Sequence, residues 1–133
     1  MFLLLIDFGL VVLIWLVQLV IYPSFTYYAE KDLIRWHDKY TSKITLVVLP
    51  LMVSQLGAYV LTTFQDFSFM SLLGLLMVVS TWVLTFFFAV PLHGKITQRV
   101  EVMASAEKLV LVNWPRTIIW TLIFVINVIS ILV

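Results

Sequence analysis

Residues 68–92 read SFMSLLGLLMVVSTWVLTFFFAVPL, a run of twenty-five positions without a charge. As a helix this run spans roughly 37 Å, more than the roughly 30 Å of hydrocarbon in a bilayer. The whole chain shares its character. Of 133 residues, 63% are hydrophobic and 11% are charged, with a mean hydropathy of +1.13. A water-soluble domain of this size buries only about two thirds of the surface its unfolded chain exposes. The solvent for the remainder is therefore lipid.

Working outward from that run, three more spans emerge. The first covers residues 1–22. It has no basic leader, Asp7 stands where Lys or Arg is expected, and no small-residue cleavage site follows, so it reads as a retained helix rather than a secretory signal. Tyr22-Pro23-Ser24 should end it, because a proline pushes the preceding residue out of helical geometry. From Ala29 a polar, helix-favouring stretch leads without a breaker into the second span, 44–63, and predicts one long helix kinked at Pro50. Phe64-Gln65-Asp66-Phe67 reverses the chain, and the run 68–92 closes at Pro91-Leu92-His93-Gly94. Between 95 and 108, Ile96, Val100 and Met103 recur at spacings of four and three among polar residues, the pattern of a helix lying on the membrane surface. The fourth span is 109–133. The expected fold is all-α: one domain, 1–133, forming an integral membrane four-helix up-and-down bundle with a cytoplasmic interfacial helix between spans 3 and 4.

All eight basic residues (Lys31, Arg35, Lys39, Lys43, Lys95, Arg99, Lys108 and Arg116) fall on the side of the bundle that carries segments 23–43 and 93–108. Asp7 and Asp66 belong to the other side, with both termini. The positive-inside rule makes the basic side cytoplasmic. The expectation is a multi-pass protein of a bacterial inner membrane with both termini on the extracytoplasmic side.

Polar side chains in membrane helices mostly turn away from lipid, so their helical phase marks the interior. Trp15, Gln18 and Tyr22 share a face of the first helix; His37, Tyr40, Ile44, Leu51 and Gln55 share one on the second. Trp82, Thr85, Ala89 and His93 line up on the third, and Asn113, Thr117, Trp120, Phe124 and Asn127 on the fourth, with Arg116 beside them. Together the stripes predict a cavity in the cytoplasmic half, with Trp15, Trp82 and Trp120 deeper and Tyr22, His37, Tyr40, His93, Asn113 and Arg116 near its mouth. An aromatic, mostly apolar pocket with a few convergent polar groups suits a small molecule: a quinone, a polycyclic phenol, a porphyrin or a lipid. Gln18, Gln55 and Asn127 read as helix-to-helix hydrogen bonds, and Tyr27, Tyr28, Trp36 and Trp114 as interfacial anchors.

The absence of cysteine excludes thiol exchange, thiolate nucleophiles, iron–sulfur clusters and Cys-based zinc sites. His37 and His93 end two consecutive antiparallel helices, so either can serve as general base, or both can ligate a haem. A non-haem iron site would want a carboxylate beside them, and Asp38 lies about 100° around the helix from His37; no metal site is expected. A transporter is disfavoured because no ionisable residue is expected near mid-membrane.

Val90-Pro91-Leu92-His93, residues 111–121 (LVNWPRTIIWT), Ile21-Tyr22-Pro23-Ser24-Phe25 and Trp36-His37-Asp38-Lys39-Tyr40 resemble segments of a set of small bacterial four-span membrane proteins with no assigned function. More remotely, the proline-ended third helix and the Asn113-x-x-Arg116 spacing resemble the anthrone-oxygenase-like family. That resemblance implies oxidation of a polycyclic phenolic substrate to a quinone by molecular oxygen, without an evident cofactor. Pro115 between Trp114 and Arg116 departs from the pattern, and either starts a helix or bends one.

The expected function is binding of a lipid-soluble aromatic or quinone-like molecule, as an oxidoreductase or oxygenase. His37, His93 and Tyr40 are the candidate catalytic residues, and Tyr22, Trp82, Asn113, Arg116 and Trp120 the candidate substrate-binding ones. The alternatives are a noncatalytic interaction or ligand-binding protein and a haem protein with His37 and His93 as ligands. Expected partners are membrane lipids, a hydrophobic small molecule and, as an open alternative, a second copy of the chain, but no nucleic acid.

Overall fold

A computed structural model describes residues 2–132. They are 92% helical, and no strand occurs among them. Four helices are long and apolar enough to cross a membrane: α1 (Phe2–Phe25), α2 (Glu30–Gln65), α3 (Phe69–Thr97) and α4 (Val102–Leu132). This is the architecture of a multi-pass membrane protein. At 1.5 Å per residue, α2 to α4 measure roughly 45–55 Å and outrun the hydrocarbon by several turns.

Each helix packs against its neighbours in sequence, and α4 closes the ring on α1. Asp7 on α1 bonds to Gln55 on α2 and to Asn127 on α4, while Gln18 bonds to Asn113, so successive helices run antiparallel. The side chains turned outward are apolar: Leu46, Leu61, Phe87, Leu111 and Leu132 are each more than half exposed. The interior is where the polar groups sit, including Asp7, Gln18, His37, Gln55, Asn113 and Arg116. With lipid outside, these polar contacts hold neighbouring helices together at about 0.6–2 kcal/mol each.

The end expected at Tyr22-Pro23-Ser24 falls one residue short of the observed one, Phe25, whereas the third helix runs past Pro91-Leu92-His93-Gly94 to Thr97. Neither Pro23 nor Pro91 breaks its helix where it stands, because each follows a π-turn, Val17–Ile21 and Thr85–Ala89. Tyr22 N–H donates to Val17 O, and Val90 N–H donates to Thr85 O, each five residues back and immediately before the proline. The wider turn accommodates a residue that has no N–H and whose ring would strike the carbonyl four residues earlier. Pro50 and Pro115 also lie inside unbroken helices.

The separate interfacial helix over 95–108 is absent. That segment divides into the last turn of α3, a reversal at 98–101, and the first two turns of α4. Gly94, expected to end the third helix, lies within it, and Arg99 takes the left-handed conformation that terminates it, at φ 60°. Its N–H donates to Ile96 O, and Val100 N–H donates to Lys95 O, satisfying the last carbonyls of the helix. Glu101, at φ 46°, turns the chain into α4. Hydrogen bonding by Lys95, 2.6 Å away, and its charge hold the exposed Glu101 carboxyl below its ordinary range. The opposite reversal is short: Ser68 caps α3, its side chain accepting from Ser71 N–H while the Ser71 hydroxyl accepts from Ser68 N–H.

Candidate functional site

A cavity of about 320 Å³ lies between the helices. Leu13, Ile14 and Val17 wall it from α1, Ile44, Val48 and Met52 from α2, and Ala89 from α3. Its polar groups are few and converge: Tyr22, Tyr40, Thr85, His93 and Arg116, with Trp120 as the aromatic floor beneath the guanidinium. Thr45, Leu49, Phe86 and Val90 line it too and are exposed on the outer surfaces of α2 and α3. Those helices pack along residues 69–84 and again along 90–97 of α3, but hardly over the π-turn 85–89 between. The gap opens the cavity sideways, between the outer surfaces of α2 and α3.

At the polar end three rings form one chain. The Tyr22 hydroxyl lies 2.9 Å from His93 Nε2, and His93 Nδ1 lies 2.8 Å from His37 Nε2. A neutral imidazole donates from one nitrogen and accepts at the other. The chain therefore runs either Tyr22 to His93 to His37 or the reverse; moving one proton at each link of the first leaves Tyr22 a phenolate and His37 an imidazolium, so reversal is complete only when Tyr22 takes up a proton and His37 Nδ1 gives one up. His37 is fully buried, behind His93 rather than in the cavity wall, and its Nδ1 has no partner. Phe25 packs edge-on to both His37 and Tyr40.

Arg116 is 5% exposed, and no carboxylate lies within 4 Å of it among the described residues, where the only ion pair is Lys95–Glu101. Nη1 donates to Asn113 Oδ1 at 3.1 Å, the guanidinium carbon stands 5.2 Å over the Trp120 ring, and Nε is unpartnered. Asn113 is held in turn: its Nδ2 donates to Gln18 Oε1, and Gln18 Nε2 donates to Val110 O. Removing a cation from water without a counter-ion costs several kcal/mol. Hydrogen bonding to Asn113 and the face of Trp120 offset part of that.

The residues expected to line a pocket divide into three groups. Tyr22, Tyr40, His93, Arg116 and Trp120 do line it. His37 and Asn113 stand behind, bonded to the wall residues His93 and Arg116. Trp82 is outside; it stacks on Phe86 with its indole N–H unpartnered. Trp15, expected deep in the cavity, is instead at the surface of α1, donating to Thr121. The two π-turns explain both departures. Each inserts a residue and advances the phase of the helix beyond it by about 100°, so Trp15 and Trp82 do not share a face with Tyr22 and His93. Pro115 leaves the Asn113–Arg116 contact intact.

The histidines do not flank a slot. With 2.8 Å between their facing nitrogens and both His93 nitrogens engaged, no porphyrin fits between them, and bis-imidazole ligation is not the arrangement seen. Among the described residues no three His, Asp or Glu side chains group as metal ligands.

One buried ionisable residue escaped the sequence reading. Asp7, assigned there to the terminal side, is 1% exposed. It accepts from Gln55 Nε2 at 2.7 Å, Asn127 Nδ2 at 2.9 Å and the Tyr59 hydroxyl at 3.0 Å. The interior is thus not free of ionisable groups. The available signal was the phase of Gln55 and Asn127, which mark the same level of the bundle from two other helices.

Comparison with known protein families, with curated proteins and with solved structures finds no match.

Proposed function

We propose that this protein is a membrane-embedded oxidoreductase for a lipid-soluble phenol or quinol. Its substrate reaches the cavity from the bilayer, sets its hydroxyl at the polar end, and loses the proton to the Tyr22–His93–His37 chain. The observation that carries this reading is Arg116: a buried guanidinium with no counter-ion among the described residues, on the wall of an apolar cavity that opens between α2 and α3. Such a group favours a ligand that develops negative charge on oxygen.

In the starting arrangement Tyr22 donates to His93, and His93 Nδ1–H donates to His37. The substrate proton passes to the Tyr22 oxygen as the Tyr22 proton passes to His93 Nε2. The Nδ1 proton of His93 moves on to His37, which becomes the imidazolium, while the oxyanion rests on Arg116. Tyr40 and Trp120 orient the ring. A quinol so activated yields two electrons and two protons to dioxygen, which dissolves in the bilayer, giving the quinone and hydrogen peroxide.

The orientation, with the basic side cytoplasmic and both termini outside, rests on the distribution of Lys and Arg, and the placement in a bacterial inner membrane on the resemblance to small bacterial four-span proteins. The reaction is tested by oxygen uptake with purified protein and a decyl-substituted benzoquinol. His93→Gln should slow it by about 100-fold or more, the usual weight of general acid–base catalysis. Saturable binding without uptake would leave a ligand-binding protein; an unchanged rate in His93→Gln would end the proton-transfer reading.

A further inference from the structure

Asp7 lies outside the cavity wall, yet it is joined to the cavity by an unbroken series of contacts. Gln55 Nε2 donates to Asp7 Oδ1 at 2.7 Å, and Gln55 Oε1 accepts from Trp120 Nε1 at 3.0 Å. The Trp120 ring then carries the Arg116 guanidinium, 5.2 Å away. Asp7, Gln55 and Trp120 are all buried. Along α4 the Asp7 partner Asn127 and Arg116 are eleven residues apart, roughly 16 Å by helical rise, so Asp7 cannot touch a ligand held at Arg116.

The direction of the bonds matters. A primary amide has a donor end and an acceptor end, and in a buried site nothing but its neighbours decides which points where. Here both Asp7 oxygens accept, with Tyr59 and Asn127 donating to Oδ2. That forces the NH2 of Gln55 toward Asp7 and its oxygen toward Trp120. With the amide reversed, its NH2 would face the indole N–H, two donors without an acceptor, at the cost of a buried unsatisfied group. Trp120 would then turn to find another partner and carry the face beneath Arg116 with it.

We infer that Asp7 is a positioning residue for the cavity: through the Gln55 amide it fixes the Trp120 indole and thereby sets where the Arg116 guanidinium stands. The inference rests on the reading of Arg116 as the group that holds the ligand oxygen. It adds that the terminal half of the bundle, which the ligand does not reach, tunes how strongly that oxygen is held.

The test uses 2-naphthol, whose excitation spectrum distinguishes naphthol from naphtholate, bound to the full chain in lipid nanodiscs. Asp7→Leu removes the acceptor, and the pKa of bound naphthol should rise by about one unit, since a displaced cation stabilises the oxyanion less. Asp7→Asn keeps an acceptor for Gln55, its new NH2 donating to the Tyr59 hydroxyl and to the oxygen of a turned Asn127 amide, and should restore the wild-type value. If Asp7 acted only through its negative charge, both substitutions would lower the value; if it only supported folding, neither would move it. Either result overturns the inference. Gln55→Leu breaks the same chain one link later, leaves Asp7 its other two donors, and should match Asp7→Leu, which keeps the test decisive if that variant does not fold. A second readout needs no ligand: the Trp120 indole N–H resonance, assigned by its loss in Trp120→Phe, should shift in Asp7→Leu and Gln55→Leu but not in Asp7→Asn. An unmoved resonance overturns the inference on its own. Arg116→Gln separates the two levels: if it too leaves bound naphthol unchanged, the ligand reading has failed, and the indole shift alone judges Asp7.

Discussion

Replacing Arg116 by Gln removes the cation from the cavity wall and little else, because a glutamine amide can still donate to Asn113 Oδ1, the present partner of Nη1. The consequence can be sized from the site. An oxyanion hydrogen-bonded to a guanidinium N–H on the cavity side of Arg116 would stand about 4 Å from the centre of charge, where two unit charges attract by about 4 kcal/mol at an effective dielectric constant of about 20. At 1.36 kcal/mol per unit this equals about 3 pKa units. The cavity opens to the side, which weakens the interaction, so a change of about 1–3 units is expected, the range found for an acid beside an arginine. Titration of 2-naphthol bound to wild-type protein and to Arg116→Gln in nanodiscs measures it directly. The wild-type complex should ionise at lower pH, and Arg116→Lys should fall between the two, since it keeps the charge but loses the planar fork. Thermal unfolding of each variant checks that the bundle is intact. Equal naphthol acidity in wild type and Arg116→Gln, with both folded, would refute the argument that the uncompensated guanidinium holds a ligand oxygen.

Two further outcomes follow from particular positions. A Cβ at Gly74 would stand 2.6 Å from Tyr59 Cε1, so Gly74→Ala should force Tyr59 away from Asp7 and lower stability by about 1–3 kcal/mol, whereas Gly57→Ala, with nothing within 4 Å, should not; thermal unfolding in detergent compares them. A reporter fused after Val133 should be extracytoplasmic, and a cytoplasmic reporter would reverse the orientation drawn from the basic residues.

The helices themselves were legible in the sequence, because a run such as 68–92 has no use in water and leaves a helix as the one local way to satisfy its backbone in lipid. Glutamine and asparagine at helical spacing marked interior faces correctly in α1, α2 and α4, and the bonds of Gln18, Gln55 and Asn127 to neighbouring helices follow from that. Their reach is limited by the assumption of one regular period. The π-turns before Pro23 and Pro91 break that period, and they carry Trp15 and Trp82 off the face expected for them.

What the amino-acid sequence alone determined is the number of apolar helices and, where the period of 3.6 is unbroken, which face turns inward, since those follow from local composition and spacing. Only the tertiary structure decided which inward groups meet. His93 finds Tyr22 and His37 across three helices, Asp7 gathers partners 48, 52 and 120 residues away, and Arg116 receives no anion from the described residues. Pairings of that kind depend on helix rotation and level, which are set by packing against distant segments and leave no mark on the local pattern.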